Sequence, residues 1–200
     1  MTNATGQDSL ALSIMGGDSH MRIANSFLQT MPYEIEEIAK NGLENSGNLF
    51  ACATNLALSI ELYLKALLIK HEIRPAKVHD LKELYETLPN SEKKRVESAY
   101  KSYKPYPLNP FDKSSSFTFL ASKSGPRVKK KDMASILSRS KDNFVEFRYI
   151  FDSIDKSNTN SIMFEYGALW CIARALRLQL GDPTINYENR KVVLCSPFKS

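Results

Sequence analysis

Histidine, cysteine and tryptophan are scarce in this chain. Its 200 residues hold three histidines, three cysteines and one tryptophan. Cys52, Cys171 and Cys195 are too few and too scattered for a disulfide framework, and no histidine stands at metal-ligand spacing from any of them. The expectation is a reducing, cytoplasmic setting, with no bound metal and no cofactor. Long apolar runs are lacking too. The most apolar stretch, Ala51 to Ile69, is broken by Asn55, Glu61 and Lys65, so no membrane span and no membrane partner are expected. The first residues carry no basic stretch ahead of an apolar core, which argues against a signal peptide. The chain has no phosphate loop, GxSxG, HExxH or EF-hand loop, which removes the commonest hydrolase and calcium-binding classes. With 42% apolar and 24% charged residues it is neither collagenous nor wholly disordered.

What is abundant is positive charge in one place. The net charge is +5, yet Lys93 to Lys131 alone holds eleven Lys and Arg against Glu97 and Asp112. The densest part is KSGPRVKKK, with Arg127, Lys129, Lys130 and Lys131. Just before it, Tyr100, Tyr103 and Tyr106 recur every third residue around Lys101 and Lys104. Cations interleaved with aromatic faces suit RNA or another polyanion, since bases stack on the rings while the cations meet phosphate. The alternative is a solvated loop, with tyrosines that cover the core.

The pattern of the remaining residues is helical. Residues 1–17 show no sustained period and end in Gly16-Gly17, so they read as a mobile arm. A helix starts at Asp18 or Ser19, meets Pro32 as a kink or a second start, and stops at Asn41-Gly42. Over Gly47 to His71, Leu49, Cys52, Ala53, Leu56, Ile60, Leu64 and Leu67 share one face, and Leu58, Leu62 and Ile69 the opposite one. A helix apolar on two sides is buried on two sides, so it sits at the centre of a bundle or at the seam between two protomers of a homodimer. Asp80 with Glu83 makes a capping-box-like start for a helix ending at Pro89, with Leu81, Leu84, Tyr85 and Leu88 inward. A polar helix follows from Asn90 or Ser91 to about Lys101. Residues 102–131 form an irregular basic insertion, in which Phe117 to Phe119 suits a short extended piece. Asp132 restarts helical structure, clearest over Lys141 to Ile154. A last helix spans about Ser161 to Leu180, closed by Gly181 and Pro183. The fold expected is all-α: one up-and-down bundle of four to five main helices over 18–181, with a tail at 182–200.

Two groups of residues suit chemistry. Arg74 and His79, in RPAKVH, are the minimum set for a metal-independent ribonuclease: a general acid/base for a ribose hydroxyl and a cation for phosphate. Equally, His79 simply precedes a helix and packs there. Arg148 falls inside the aromatic stripe Phe144, Phe147 and Phe151, where an unpaired cation is costly. It calls for a carboxylate, Glu61 or Glu165, and Glu61 is preferred. Glu61 and Lys65 stand one turn apart in the better i,i+4 order, so Glu61, Lys65 and Arg148 are expected to form a structural ion-pair network.

Two segments resemble a known family. SIELYLKALLIKHEIRPAKVHDLKELYETLP, Ser59 to Pro89, is similar to HEPN domains, whose members often show a Glu-x-x-x-Lys-Ala helix, a short connection and a His-Asp-Leu helix start. Glu61, Lys65, Ala66, His79, Asp80 and Leu81 match. FVEFRYIFD, Phe144 to Asp152, resembles a segment of some HEPN-like bacterial proteins. The resemblance implies a helical bundle that commonly dimerises. It also implies a lineage of RNases and non-catalytic relatives in toxin–antitoxin, stress and phage-defence systems, and so an antitoxin or defence protein as partner. Active members carry an arginine followed four to six positions on by a histidine, typically in a later helix. Here Arg148 has no histidine after it. A nucleic-acid- or partner-binding module is therefore the first expectation. The second is an endoribonuclease using His79 with Arg148 or Arg74, and the third a purely structural or interaction protein.

Overall fold

The computed structural model describes residues 3–41, 47–102, 117–119, 132–140 and 162–181. Among them are six helices and one two-stranded ribbon: α1 Asn3–Asn41, α2 Gly47–Lys70, α3 Leu81–Thr87, α4 Asn90–Ser102, β1 Phe117–Phe119, α5 Met133–Arg139, β2 Ile162–Phe164 and α6 Tyr166–Leu178. The fold is an all-α bundle. The regions expected as a helix over 141–154 and as the tail lie outside the described residues, as does nearly all of the insertion.

α2 is the axis of the bundle. It packs against α1, α6 and α3, while α4 lies on α6 and α5 bridges α3 and α6. Leu49, Leu56, Ile60, Leu64 and Leu67 are fully buried, and Tyr63 and Leu68 are buried with them. Leu58, Leu62 and Ile69, the opposite flank, are half-buried. Neighbours from the same chain thus lie on α2 from several sides, so its second apolar face does not by itself call for a second protomer. By length and mean hydropathy α2 would also pass for a membrane span, but 67% of that stretch is buried in the bundle, which accounts for its composition.

The expected arm at 1–17 is instead helical from Asn3. α1 is one 39-residue helix, about 58 Å long at the usual rise, and Pro32 lies within it. Ala11 and Ile14, in the segment taken for an arm, are buried. Gly16-Gly17 is a contact and not a stop. A Cβ on Gly17 would come within 2.5 Å of the Tyr63 ring, and one on Gly16 within 3.1 Å of Leu62. The glycines let α1 lie close on α2, and that approach outweighs their poor helix propensity.

Local signals set most of the other ends. The Asp80 side chain accepts from the backbone N–H of Lys82 at 2.9 Å and of Glu83 at 3.1 Å. Asp132 accepts from the N–H of Ser135 at 2.9 Å. Leu81, Leu84, Tyr85 and Leu88 all face the core, as their spacing predicts. At the C-terminus of α2, Ile73 donates its N–H to the Leu68 carbonyl, and Glu72 adopts φ 59° without being a glycine. The last helix starts later than its periodicity suggests. Ile162–Phe164 pairs antiparallel with β1, in register Phe117 with Phe164 and Phe119 with Ile162. The helix begins only at Tyr166 and ends near Gly181, whose φ is +70°.

Polar side chains tie the helices together. Asp18 of α1 accepts from the Tyr63 hydroxyl and from Arg177 Nε, both at 2.7 Å, and so joins α1, α2 and α6. His20 pairs with Asn55 at 2.8 Å, and Trp170 Nε1 donates to Asn25 at 2.7 Å. Tyr85 donates to Glu97 at 2.7 Å. Burial, then the hydrogen bonds to Asp18 and Glu97 and the charges of those carboxylates, push the Tyr63 and Tyr85 phenols far above their ordinary value. Tyr100, 8% exposed, is pushed up to about 12, by burial first, with Cys171 and Glu165 adding.

Gly17→Ala will destabilise the protein by about 1–3 kcal/mol, because the ring it meets is itself enclosed. Gly6→Ala, on the same helix with nothing within 4 Å of its added Cβ, will be neutral or stabilising by up to about 1 kcal/mol. Urea unfolding of both variants checks this. Alkaline pH gives a second test. The fold favours neutral phenols, so above pH 10 the unfolded chain loses protons that the folded one keeps, and stability falls with rising pH. Between pH 10 and about 12, Tyr100 alone will account for a loss of about 2 kcal/mol. Denaturant titrations across that range will show a shallower decline for Tyr100→Phe.

Candidate functional site

The most concentrated polar chemistry on α2 is at Glu61. This carboxylate is 5% exposed in the middle of an apolar helix, so both of its oxygens need partners. Oε1 takes Lys65 Nζ at 2.6 Å, the expected pair one turn on. Oε2 lies 3.0 Å from His79 Nδ1. The chain returns to Glu61 because α2 ends at the Glu72 turn, residues 71–80 double back, and Asp80 fixes the start of α3. That places His79 immediately before a capped helix that itself packs on α2. The His79 side chain is 62% exposed and that of Lys65 21%. An anchored imidazole and an ammonium thus share one buried anion, with the imidazole open to solvent.

The partner expected for Glu61 was Arg148, which lies outside the described residues. Among the described residues Glu61 is held by Lys65, as expected, and also by His79. Glu165, the other carboxylate considered for Arg148, is held by Arg139 through two bonds, Nε to Oε2 at 2.9 Å and Nη2 to Oε1 at 3.0 Å. This fork joins the end of α5 to the start of α6. Sequence reading overlooked it because Arg139 ends a short helix with no strong period. The signal that pointed to His79 was present: Glu61 and His79 belong to the same family-like segment.

The other predicted residues are dispersed. Arg74 is exposed and lines a cleft of about 880 Å³ between the start of α1 and the turn after α2, with Gln7, Leu10, Lys70 and Pro75. Lys70 there donates to the Gln179 carbonyl at the end of α6. Lys101 is exposed at the last turn of α4, whereas Tyr100 beside it is buried and covers the core. Tyr103, Lys104, Arg127, Lys129, Lys130 and Lys131 lie outside the described residues. A second buried carboxylate went unread. Glu92, 1% exposed, holds His71 Nε2 at 3.2 Å and Arg95 at 3.5 Å through Oε2, and joins α4 to the end of α2. Among the described residues, no group of three or more His, Cys, Asp or Glu side chains is placed to hold a metal ion.

The Glu61-x-x-x-Lys65 helix, the short return and the His79-Asp80-Leu81 start fall within the part of the chain that matches a family model. Residues 19–106 match the HEPN domain. The chain carries a HEPN-like domain. The HEPN-like match runs from the second half of α1 through α4 and includes the whole of α2 and α3. The chain has no match among the curated proteins or the solved structures. HEPN domains are in general nucleotide-binding or RNase-like modules.

Proposed function

We propose that this HEPN-like domain is an RNA-binding module in a bacterial stress or phage-defence system, working in the cytoplasm and as a homodimer. The observation that carries the reading is the anchored, solvent-exposed His79 beside Lys65 on the buried Glu61. The Lys65 ammonium supplies hydrogen-bond donors to a phosphodiester, and His79 presents a solvent-exposed ring beside it. The basic segment Lys93 to Lys131 adds sequence-independent affinity for the backbone. Two buried cysteines outside any disulfide, Cys52 and Cys171, suit a reducing compartment. An antitoxin or defence protein is the partner suggested by the lineage of the family.

A second reading, metal-independent RNA cleavage, is favoured by one observation: His79 is held through a ring nitrogen by a carboxylate, the arrangement that orients a general base. In that reaction the ribose 2′-oxygen bonds to phosphorus and the bond from phosphorus to the 5′-oxygen breaks. The 2′-hydroxyl proton passes to His79 and then to the departing 5′-oxygen, leaving a 2′,3′-cyclic phosphate and a 5′-hydroxyl end.

Binding of fluorescein-labelled single-stranded RNA, measured against salt, will show log affinity falling by about 0.7 per phosphate contact for each decade of salt. Replacing Arg127, Lys129, Lys130 and Lys131 together by Gln will make that slope shallower by about 3. No affinity at low salt in the wild type overturns the binding reading. For cleavage, RNA in EDTA is incubated with wild type and His79→Ala. The expectation is cyclic-phosphate product with the wild type only; equal cleavage by both discards the second reading.

A further inference from the structure

We infer that Glu61 and Lys65 form a positioning pair that sets which nitrogen of His79 carries the proton. The inference rests on reading His79 as the residue that meets RNA, and it adds the state in which that residue is presented. An ammonium 2.6 Å from Oε1 marks Glu61 as a carboxylate, and a carboxylate only accepts hydrogen bonds. Nδ1 of His79, 3.0 Å from Oε2, is therefore the donor. In the neutral ring the lone pair then lies on Nε2, the nitrogen on the far side of the ring from Glu61. That is the form in which Nε2 accepts a proton from a ribose hydroxyl or a hydrogen bond from another donor.

Lys65 is part of the device because it holds the other end of the carboxylate. It stands one helical turn after Glu61 on the same rigid helix, so the direction of its bond follows from helix geometry. With Oε1 pinned, rotation of the carboxylate away from His79 breaks a charge-assisted hydrogen bond in a site where water is largely excluded, since the Glu61 side chain is 7% exposed. His79 is fixed independently from the main-chain side, because the next residue, Asp80, is the capping residue of α3. The ring is thus held at both ends: its backbone by the cap and its Nδ1 by Glu61. Lys65 and Glu61 act through His79 and need not touch RNA for this role.

The test is the tautomer of His79, read by long-range proton–nitrogen correlation NMR on the intact ¹⁵N-labelled protein at pH 8.5, where an ordinary histidine is neutral. The chain has only three histidines, and His79→Asn identifies the signal. The wild type is expected to show the Nδ1–H form. Glu61→Leu, which removes the acceptor without leaving a buried charge, is expected to lower the ratio of Nδ1–H to Nε2–H by about tenfold. Lys65→Met will move the ratio the same way by a smaller factor, and Lys65→Arg will restore it. An Nε2–H ring in the wild type, or one unchanged tautomer across folded Glu61→Leu and Lys65→Met, overturns the inference. The wild-type spectrum decides the matter even if a variant does not fold. The RNA assays are a separate readout: an Nδ1–H ring in a protein that ignores RNA keeps the positioning pair and removes the RNA reading.

Discussion

A helix enclosed by its neighbours must find a partner for every polar group it carries, and α2 finds them on different elements. Tyr63 reaches Asp18 on α1, Asn55 reaches His20 on the same helix, and Glu61 reaches His79 ahead of α3. Ser59 turns back to the Leu56 carbonyl at 2.8 Å. Leaving any one of these groups without a partner would cost on the order of 1–3 kcal/mol, and more for the carboxylate. The apolar surface of α2 supplies the driving force for collapse without direction. The polar groups that reach other elements, Tyr63, Asn55 and Glu61, supply the direction, because their partners come within reach only when α1 and the segment before α3 are in place.

That division explains which parts of the architecture could be read from the chain. Caps are local, so Asp80 and Asp132 announced two helix starts that the structure contains. Face assignments on α2 and α3 are set by period, and the leucines there are buried as their spacing requires. Gly16-Gly17 misled because a glycine pair marks both a helix end and a close helix crossing, and only the position of Tyr63 on another helix separates the two. Ile162 misled for a related reason: one residue shared a face with the helix that follows, yet a strand partner 43 positions earlier, Phe119, claimed it.

The site was legible in its members and not in its pairing. Glu61 stood out as an acid among leucines, Lys65 as its helical neighbour and His79 as the head of a capped helix. Which cation would reach Oε2 depended on how the connection of residues 71–80 folds back. That path is set by Glu72 in the left-handed region and by the packing of α3, neither of which leaves a periodic trace. The Arg139–Glu165 and Glu92–His71 pairs follow the same rule, since each joins separate elements. His79 is accordingly defined by tertiary structure as much as by its motif, and its chemistry depends on a residue 18 positions away.

The clasp made by Asp18 and Arg177 spans 159 positions of sequence. Both residues lie outside the stretch 19–106 that carries the family match, so the structural unit is larger than the homologous one. The α1–α2 hairpin can assemble from nearby residues, but the groove that receives α6 stays open until that helix arrives. On the ribosome this delays completion of the core until α6, Tyr166–Leu178, has emerged. During that interval the leucines destined for α6 are exposed to whatever chaperone or partner meets the nascent chain first.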